Sequence, residues 1–229
     1  MASVQRLNYY KKTTCANCNY SWDYPYSNRA KMTELQNLFY FELHLCPHCN
    51  SLGYFITEVG DFELQVQNDK QYKEIIKKKN EAFGMVCKKE TYKYLLYAYI
   101  CEKKGDDFMT ARTYYMANKV EKFQREKYIE SMLYKEHEDA KMIKESEAKE
   151  EEYLRKSIYY MQRYVNNHQD DIDASIMLAV IYKLACEGEK AVTVLNSVMK
   201  KNVTQRQIQM VKEVVKMKLG SSEFLRRFI

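Results

Sequence analysis

The pattern of apolar and polar positions along the chain changes character near residue 66. Before that point, two short runs rich in aromatic and aliphatic residues, 38–45 and 52–57, flank a pair of cysteines. Such runs predict antiparallel strands that lead into and out of a turn, and a third, shorter strand is expected around residues 7–10. We therefore divide the chain into a small β module over residues 1–66, which holds these cysteines, and a second, helical domain over residues 67–229.

Apolar residues in the second domain recur at helical spacing with few helix breakers. Asn68 or Asp69 can cap a first helix, which runs through a lysine-rich segment and ends near Gly84. A second helix is expected from about residue 86 to residue 104, and it ends at Gly105.

The stretch that Asp106 and Asp107 open contains neither glycine nor proline before Asn166. Such a stretch is too long for one ordinary globular helix. The apolar periodicity fades in the charged segment 135–152, so we expect the interruption there. A fresh helix is then predicted on the apolar residues Leu154, Ile158, Met161 and Val165.

Residues 172–199 resemble a tetratricopeptide repeat, a helix pair with small and large apolar residues at fixed offsets. Gly188 lies in the predicted turn, but Ser175 stands where the consensus has Trp and Val203 where it often has Pro. About three stacked repeats are usually needed for a stable array, so we predict a repeat-like helical domain. A last helix over residues 204–219 would cover the end of the pair. Within residues 172–199, the positions that match the spacing of the tetratricopeptide consensus are Leu178, Ala179, Tyr182, Ala191, Leu195 and Val198.

The amino-acid composition agrees with a mostly helical protein. Apolar residues make up 46% of the chain, and only 6 Gly and 2 Pro are present among 229 residues. So few turn formers favour long helices over a sandwich or a barrel. The expected class is therefore α+β, mostly α, with a small zinc-ribbon-like antiparallel β module followed by a tetratricopeptide-like helical domain.

The net charge of +6 arises from 37 cations and 31 anions, which is the balance of a well-solvated surface. The N-terminal residues contain no apolar signal region, and no run approaches the roughly twenty apolar residues that a membrane span needs. We therefore expect a soluble, cytoplasmic protein with no membrane partner. The one basic patch is a lysine-rich segment made of Lys70, Lys73, Lys77, Lys78, Lys79, Lys88 and Lys89.

Two CxxC pairs carry the candidate chemistry, Cys15 with Cys18 and Cys46 with Cys49. Each pair is typical of a tight turn that aims two sulfurs at one point, and two such turns complete a tetrahedron around Zn²⁺. Four thiolates leave no open position for water, so we expect one structural zinc ion and no metal catalysis. The chain has seven cysteines, an odd number, and three of them stand alone in the sequence. This count favours metal-bound thiolates and free thiols in a reducing compartment over a set of disulfides. The three single cysteines are Cys87, Cys101 and Cys186.

An asparagine follows the second cysteine of each pair. Many such knuckles place glycine there because the backbone turns left-handed, and asparagine tolerates that conformation best after glycine. Asn19 and Asn50 therefore support the interpretation as a metal site. Pro47 fixes φ within the second turn, and Lys11 and Lys12 can partly offset the net negative charge of four thiolates around a dication.

Iron, redox chemistry and histidine ligation are the alternatives for this cluster. A rubredoxin-like iron site uses similar pairs, but closed all-thiolate sites are most often zinc. A thioredoxin-like role needs a CxxC at a helix N-terminus in a βαβ context, which the pattern lacks. His44 and His48 lie close to the second pair, yet four cysteines already satisfy zinc, so we expect them at the surface or in a supporting role.

The chain resembles the uncharacterised bacterial proteins grouped as domain-of-unknown-function family 2225. The resemblance is carried by the CxxC and CPxC spacing between aromatic strands and by the tetratricopeptide-like segment from Leu178 to Val198. It covers nearly the whole chain, and the two asparagines in place of glycine depart from it. The resemblance implies this architecture and a zinc site, and it implies no reaction.

Three classes of function follow from these features. A protein-interaction scaffold fits the repeat-like helix pair and the apolar tail with Phe224 and Phe228, although these side chains can equally cap the protein's own core. A zinc-ribbon protein that binds RNA is the alternative, with the lysine-rich segment on phosphates and aromatic rings on bases. No phosphate loop, HExxH motif or nucleophile elbow occurs, so we expect no enzyme. The sequence leaves homo-oligomerisation open. In the RNA-binding alternative, the aromatic side chains that would stack on bases are Trp22, Tyr24, Tyr26 and Tyr40. Aromatic residues near such a knuckle more often form the small core of the module.

Overall fold

This computed structural model describes residues 9–15, 17–26, 32–41, 43–53, 65–81, 88–130 and 136–220. Within these ranges the strands are β1 Tyr9–Thr14, β2 Ser21–Tyr26, β3 His44–Leu45 and β4 Leu52–Gly53. The helices are α1 Glu34–Phe39, α2 Lys70–Glu81, α3 Lys88–Lys104, α4 Asp107–Glu130, α5 Glu136–Asn167, α6 Ile172–Leu184, α7 Gly188–Met199 and α8 Gln205–Lys216. The expected class, α+β and mostly α, is confirmed.

Several helices begin and end where the capping residues predict. Asp69 Oδ1 accepts a hydrogen bond from the Gln71 N–H at 2.7 Å at the start of α2. Gly105, with φ of 70°, follows the end of α3. Thr204 caps α8, because its side chain accepts from the N–H of Gln207 while the Gln207 side chain accepts from the N–H of Thr204. Local sequence therefore fixes these boundaries.

The predicted interruption within residues 135–152 is wrong for residues 136–152, because α5 runs unbroken from Glu136 to Asn167, and residue 135 lies outside the described residues. Polar contacts to α4 replace the apolar periodicity in this charged segment. Ser146 Oγ donates to Glu121 Oε1 at 2.9 Å, and Asn118 Nδ2 donates to the Glu150 carbonyl at 2.7 Å. Further along, Ser157 Oγ donates to the Ala111 carbonyl at 2.8 Å. The partner numbers rise on one helix as they fall on the other, so α4 and α5 pack antiparallel.

The predicted strand over residues 38–45 is also wrong in most of its length, because α1 occupies residues 34–39 and β3 covers only His44–Leu45. Thr33 and Gln36 form a reciprocal capping box that starts α1. Leu35 and Phe39, four residues apart, then lie on one buried face at 0% and 1% exposure. Helical spacing of these two side chains outweighs the strand propensity of the aromatic run.

The main hydrophobic core joins this N-terminal segment to the helices. Leu35, Phe39, Phe41 and Leu43 belong to the same buried cluster as the side chains of α4, α6, α7 and α8. The Phe39 ring lies 4.3 Å from the ring of Tyr115 on α4, centroid to centroid. The division into residues 1–66 and 67–229 stays a prediction.

A second, smaller core joins β4 to α2 and α3. Its buried members are Leu52, Val66, Tyr72, Leu96, Tyr99 and Ile100, and Leu45 of β3 packs against them. The predicted strand at 52–57 is confirmed for β4, and residues 54–57 lie outside the described residues. The third predicted strand is β1, for which residues 7–8 are likewise outside them. The prediction missed β2, which pairs antiparallel with β1.

The helix pair predicted over residues 172–199 is present as α6 and α7, with Gly188 as the first residue of α7. Its likeness to a tetratricopeptide repeat stays a prediction. The last helix is confirmed as α8, and the tail with Phe224 and Phe228 lies outside the described residues. Within the described part of the chain, every helix is too short or too polar to cross a membrane.

Candidate metal centre

The two CxxC pairs fold into knuckles of the same backbone geometry. In the first, the Cys15 N–H donates to the Tyr20 carbonyl at 2.8 Å, and the Asn19 N–H donates to the Cys15 carbonyl at 2.9 Å. In the second, Cys46 donates to the Ser51 carbonyl at 2.9 Å and Asn50 donates to the Cys46 carbonyl at 3.0 Å.

Both asparagines have φ of 57°, the left-handed conformation predicted for them. Asparagine is among the few residues other than glycine that adopt it readily, because its short side chain hydrogen-bonds locally. Asn19 and Asn50 therefore let each chain segment turn back tightly after its second cysteine.

The four cysteine sulfurs meet in one cluster in which all lie within 4.8 Å of one another. The sulfurs of Cys15 and Cys49 are 3.6 Å apart, and those of Cys18 and Cys46 are 3.7 Å apart. All four are free thiols and not disulfides. A tetrahedron of sulfurs about 2.3 Å from a central zinc ion has edges of about 3.8 Å. The observed spacing fits a four-coordinate metal ion.

Burial raises the pKa of the Cys15 thiol to about 12, while hydrogen bonds from the backbone N–H groups of Cys18 and Asn17 lower it. Burial also acts to raise the pKa of Cys49, but hydrogen bonds from the Ser51 backbone N–H and from Cys18, Cys15 and Asn17 lower it on balance. The backbone donors are of the kind that stabilise metal-bound thiolates. A bound dication would displace the thiol protons.

Residues of the first knuckle contact the second beside the sulfurs. Asn17 Nδ2 donates to Cys49 Sγ at 3.6 Å. The exposed Tyr20 ring stacks on His48 at 5.5 Å between centroids, and on Trp22 at 6.3 Å. His48 is thus an exposed stacking partner, as predicted for a surface histidine, and the side chain of His44 lies outside the described part.

Sequence reasoning missed two groups that hold the second knuckle on α2. Lys79 Nζ donates to Asn50 Oδ1 at 2.5 Å, and Tyr72 Oη donates to the Asn50 carbonyl at 3.3 Å. Lys79 is only 9% exposed, so it does not contribute to the basic patch predicted for the lysine-rich segment. No local pattern marks these contacts, because both residues lie more than 20 positions from Asn50.

The two RNA-stacking candidates with described side chains belong to different elements, Trp22 to β2 and Tyr40 to the end of α1. Trp22 packs against the cysteine cluster, whereas the Tyr40 carbonyl accepts a hydrogen bond from Arg112 Nη2 at 3.1 Å in the helical part. The side chains of Tyr24 and Tyr26 lie outside the described part. In the lysine-rich segment, Lys70, Lys73, Lys77 and Lys78 are exposed, and so is Lys12 on β1.

Comparison with known proteins adds no relative to this picture. No protein-family model, no curated protein and no solved structure matches the chain. The functional argument therefore rests on the geometry above.

Proposed function

We propose that the chain is a non-enzymatic protein-interaction scaffold in which Cys15, Cys18, Cys46 and Cys49 hold one structural zinc ion. The zinc part is supported by the donor set, because four thiolates at tetrahedral spacing prefer a soft, four-coordinate ion and leave no position for water. Bound zinc would supply a cross-link between the two knuckles. This assignment agrees with a zinc ribbon and with the architecture that family 2225 implies.

Metal analysis of the purified full chain tests the zinc assignment. We expect about one equivalent of zinc per chain and, with zinc bound, few thiols open to a thiol reagent. Iron as the bound metal would support the rubredoxin-like alternative and overturn zinc. Less than about half an equivalent of any metal, with four readily titrated thiols in the cluster, would remove the site from the proposal.

The scaffold part is supported by exposed apolar side chains on α7 and at the end of α8. Val192, Met199, Val215 and Leu219 are 50%, 47%, 60% and 53% exposed. Leu219 lies against the start of α7, because a methyl group at Gly188 would lie 3.2 Å from Leu219 Cδ2. Val192 is one helical turn beyond Gly188 along α7. We infer that exposed apolar side chains on this side of α7, Leu219 and Val192 among them, offer an apolar surface suited to a protein segment, and we call it the α7–α8 patch.

A charge placed in the α7–α8 patch tests the scaffold. Val192→Asp is expected to lose proteins that the tagged wild-type chain retains from lysate, because the partner would have to bury a carboxylate. Ile129→Asp is the matched control, since Ile129 is also a β-branched helical residue, 37% exposed on α4. The control should retain the same proteins. Retention by both variants, or a monomeric chain that retains nothing above background, would contradict the scaffold.

Binding of single-stranded RNA is the second candidate, and the stacked Tyr20 and His48 rings favour it. Tyr20 is 45% exposed beside the cysteine cluster, so part of its ring is accessible to a base. The single tryptophan, Trp22, reports on this surface by fluorescence. RNA stacking should quench Trp22 at low ionic strength, and Tyr20→Ala should abolish the quenching. No quenching or anisotropy change with an oligoribonucleotide at low salt would end this candidate.

A further inference from the structure

A cleft of about 400 Å³ lies between α4, α5 and the turn that joins α6 to α7. Leu154 and Ile158 of α5 and Leu184 of α6 give it apolar walls. Its volume lies within the range of small-molecule sites. Charged side chains, mostly of α4 and α5, line much of the remainder. The cleft is separate from the cysteine cluster, because none of the four clustered cysteines lines it.

Lys119 of α4 is the unusual residue of this cleft. Its side chain lines the cleft, yet the residue is only 5% exposed. Nζ lies 5.7 Å from the centroid of the Tyr115 ring, and in the described part of the chain it has no hydrogen bond or ion pair. A buried ammonium without a paired anion is costly, so such lysines are rare.

The carboxylates around Lys119 are already paired with other cations. Arg125 donates to both oxygens of Glu150 at 2.6 and 3.0 Å. Arg155 pairs with Glu151 at 2.5 Å, and Lys190 pairs with Glu187 at 2.6 Å. Glu147 lies 3.4 Å from Arg125. Among the described cations that line the cleft, Lys119 and Lys122 have no carboxylate partner, and Lys119 is the buried one of the two.

The protonation of Lys119 reflects this environment. The pKa of Lys119 is lowered to about 7, mainly by burial and also by the nearby charge of Lys122, although the charges of Glu126 and Glu150 act to raise it. Lys122 itself donates to the Gly220 carbonyl at 3.3 Å. An anion beside Lys119 would stabilise its ammonium form, since an opposite charge at close range favours ionisation.

We propose that this cleft binds a small monocarboxylate with an apolar body, the carboxylate pairing with Lys119 and the body lying on Leu154, Ile158 and Leu184. A monoanion fits better than a phosphate dianion, because four glutamates line the same cleft and repel added negative charge. The apolar walls favour a hydrocarbon or aromatic chain over a sugar.

Calorimetry on the full chain with octanoate as the probe tests the proposal. Octanoate is expected to bind at least about tenfold more tightly than octanamide, its uncharged counterpart of equal length. Its affinity should fall by about tenfold for each pH unit above the pKa of Lys119, because the anion needs the ammonium form. Equal binding of octanoate and octanamide, or no binding of octanoate at about 10 mM, would overturn the proposal.

Variants of two matched lysines complete the test. Lys127 also lies over an aromatic ring four residues earlier on α4, with Nζ 4.6 Å from the Phe123 ring centroid, but it is exposed. Lys119→Met should weaken octanoate binding by at least about tenfold, and Lys127→Met should leave it unchanged. Lys119→Arg keeps the charge at every pH and should retain binding at pH values where the wild type loses it. Wild-type affinity in Lys119→Met would contradict the proposal.

Discussion

The two cysteine knuckles have the same backbone but differ in what holds them to the protein. Each has an asparagine at φ of 57° and the same pair of backbone hydrogen bonds. The second knuckle is fastened to α2 through Asn50, which accepts from Lys79 and from Tyr72. The first knuckle reaches the second through the sulfurs, through Asn17 and through the Tyr20 ring.

The residues that flank the knuckles show the origin of this difference. Thr14 and Ser21 pair across the first hairpin, and Leu45 and Leu52 pair at the equivalent positions of the second. Thr14 and Ser21 are exposed, and their hydroxyl oxygens lie 2.8 Å apart. Leu52 is 1% exposed in the core of α2 and α3, and Leu45 packs against that core. The same knuckle backbone thus occurs twice, once between apolar residues that are anchored in a core and once between exposed polar residues.

The comparison teaches that a metal ion would matter unequally to the two knuckles. The second has hydrophobic burial of its own, which stabilises it whether or not metal binds. The first has a two-stranded hairpin, which is marginal alone in water. We therefore expect metal to be the main link between the first hairpin and the rest of the protein.

Removing one ligand should give the largest effect. Cys15→Ser is expected to lose the metal and, with it, metal-binding free energy on the order of 10 kcal/mol, while the helices stay folded. Zinc content and far-UV circular dichroism measure the two outcomes. Cys186→Ser, at an exposed thiol outside the cluster, should keep about one equivalent of zinc. One equivalent of zinc retained by Cys15→Ser would contradict the role of Cys15 as a metal ligand that links the two knuckles.

Acid should release the metal before it unfolds the helices. Metal binding requires thiolates, and burial raises the pKa of Cys15 to about 12, so protons compete for this sulfur at every lower pH. Lowering the pH therefore favours thiols and metal release, whereas raising it favours thiolates and metal retention. Dialysis between about pH 7 and pH 5, followed by metal analysis, should show the loss. If the helical circular dichroism were lost at the same pH at which the metal is released, the helices would depend on the metal as much as the first hairpin does, and the account would be contradicted.

Matched alanine substitutions beside the knuckles should separate the two anchors. Leu52→Ala removes a buried side chain from the second core and is expected to lower the free energy of unfolding by about 2–5 kcal/mol. Ser21→Ala changes an exposed side chain and should alter it by less than about 0.5 kcal/mol. Denaturant titration of the metal-bound forms measures both. Similar losses in the two variants would show that the hairpins are equally anchored.

Glycine in place of each asparagine should give the smallest difference. Asn19→Gly keeps the left-handed turn and should be nearly neutral, since glycine adopts that conformation readily. Asn50→Gly also keeps the turn but loses the hydrogen bond from Lys79, and it should cost about 1 kcal/mol. Equal stability of the two variants in denaturant would remove Lys79 as an anchor of the second knuckle.

Structural features that depend on neighbouring residues in the sequence were predicted correctly, whereas features that depend on contacts between distant residues were missed. The cap at Asp69, the start of the last helix near Thr204 and the left-handed Asn19 and Asn50 follow from the residues themselves. The cysteine spacing identified the sulfur cluster for the same reason.

Two of the errors have a common physical cause, a contact with a residue distant in the sequence. Helix α5 continues through its charged segment because Ser146 and Glu150 bond to α4, a partner that periodicity cannot reveal. Helix α1 forms in an aromatic run because Phe39 packs on Tyr115, 76 positions away in the sequence. Strand β2 was missed because it mixes Ser21, Asp23 and Pro25 with aromatic residues, a composition with weak strand signal.

Hydrogen exchange with and without a chelator tests the central claim most directly. After metal removal, the amides of β1 and β2 should exchange much faster, while those of α4 and α6 keep their protection and β4 changes little. This outcome would show that metal fastens the first hairpin to a core that holds the second knuckle by itself. Unchanged protection in β1 and β2, or loss of protection in α4 and α6 at the same time, would contradict it.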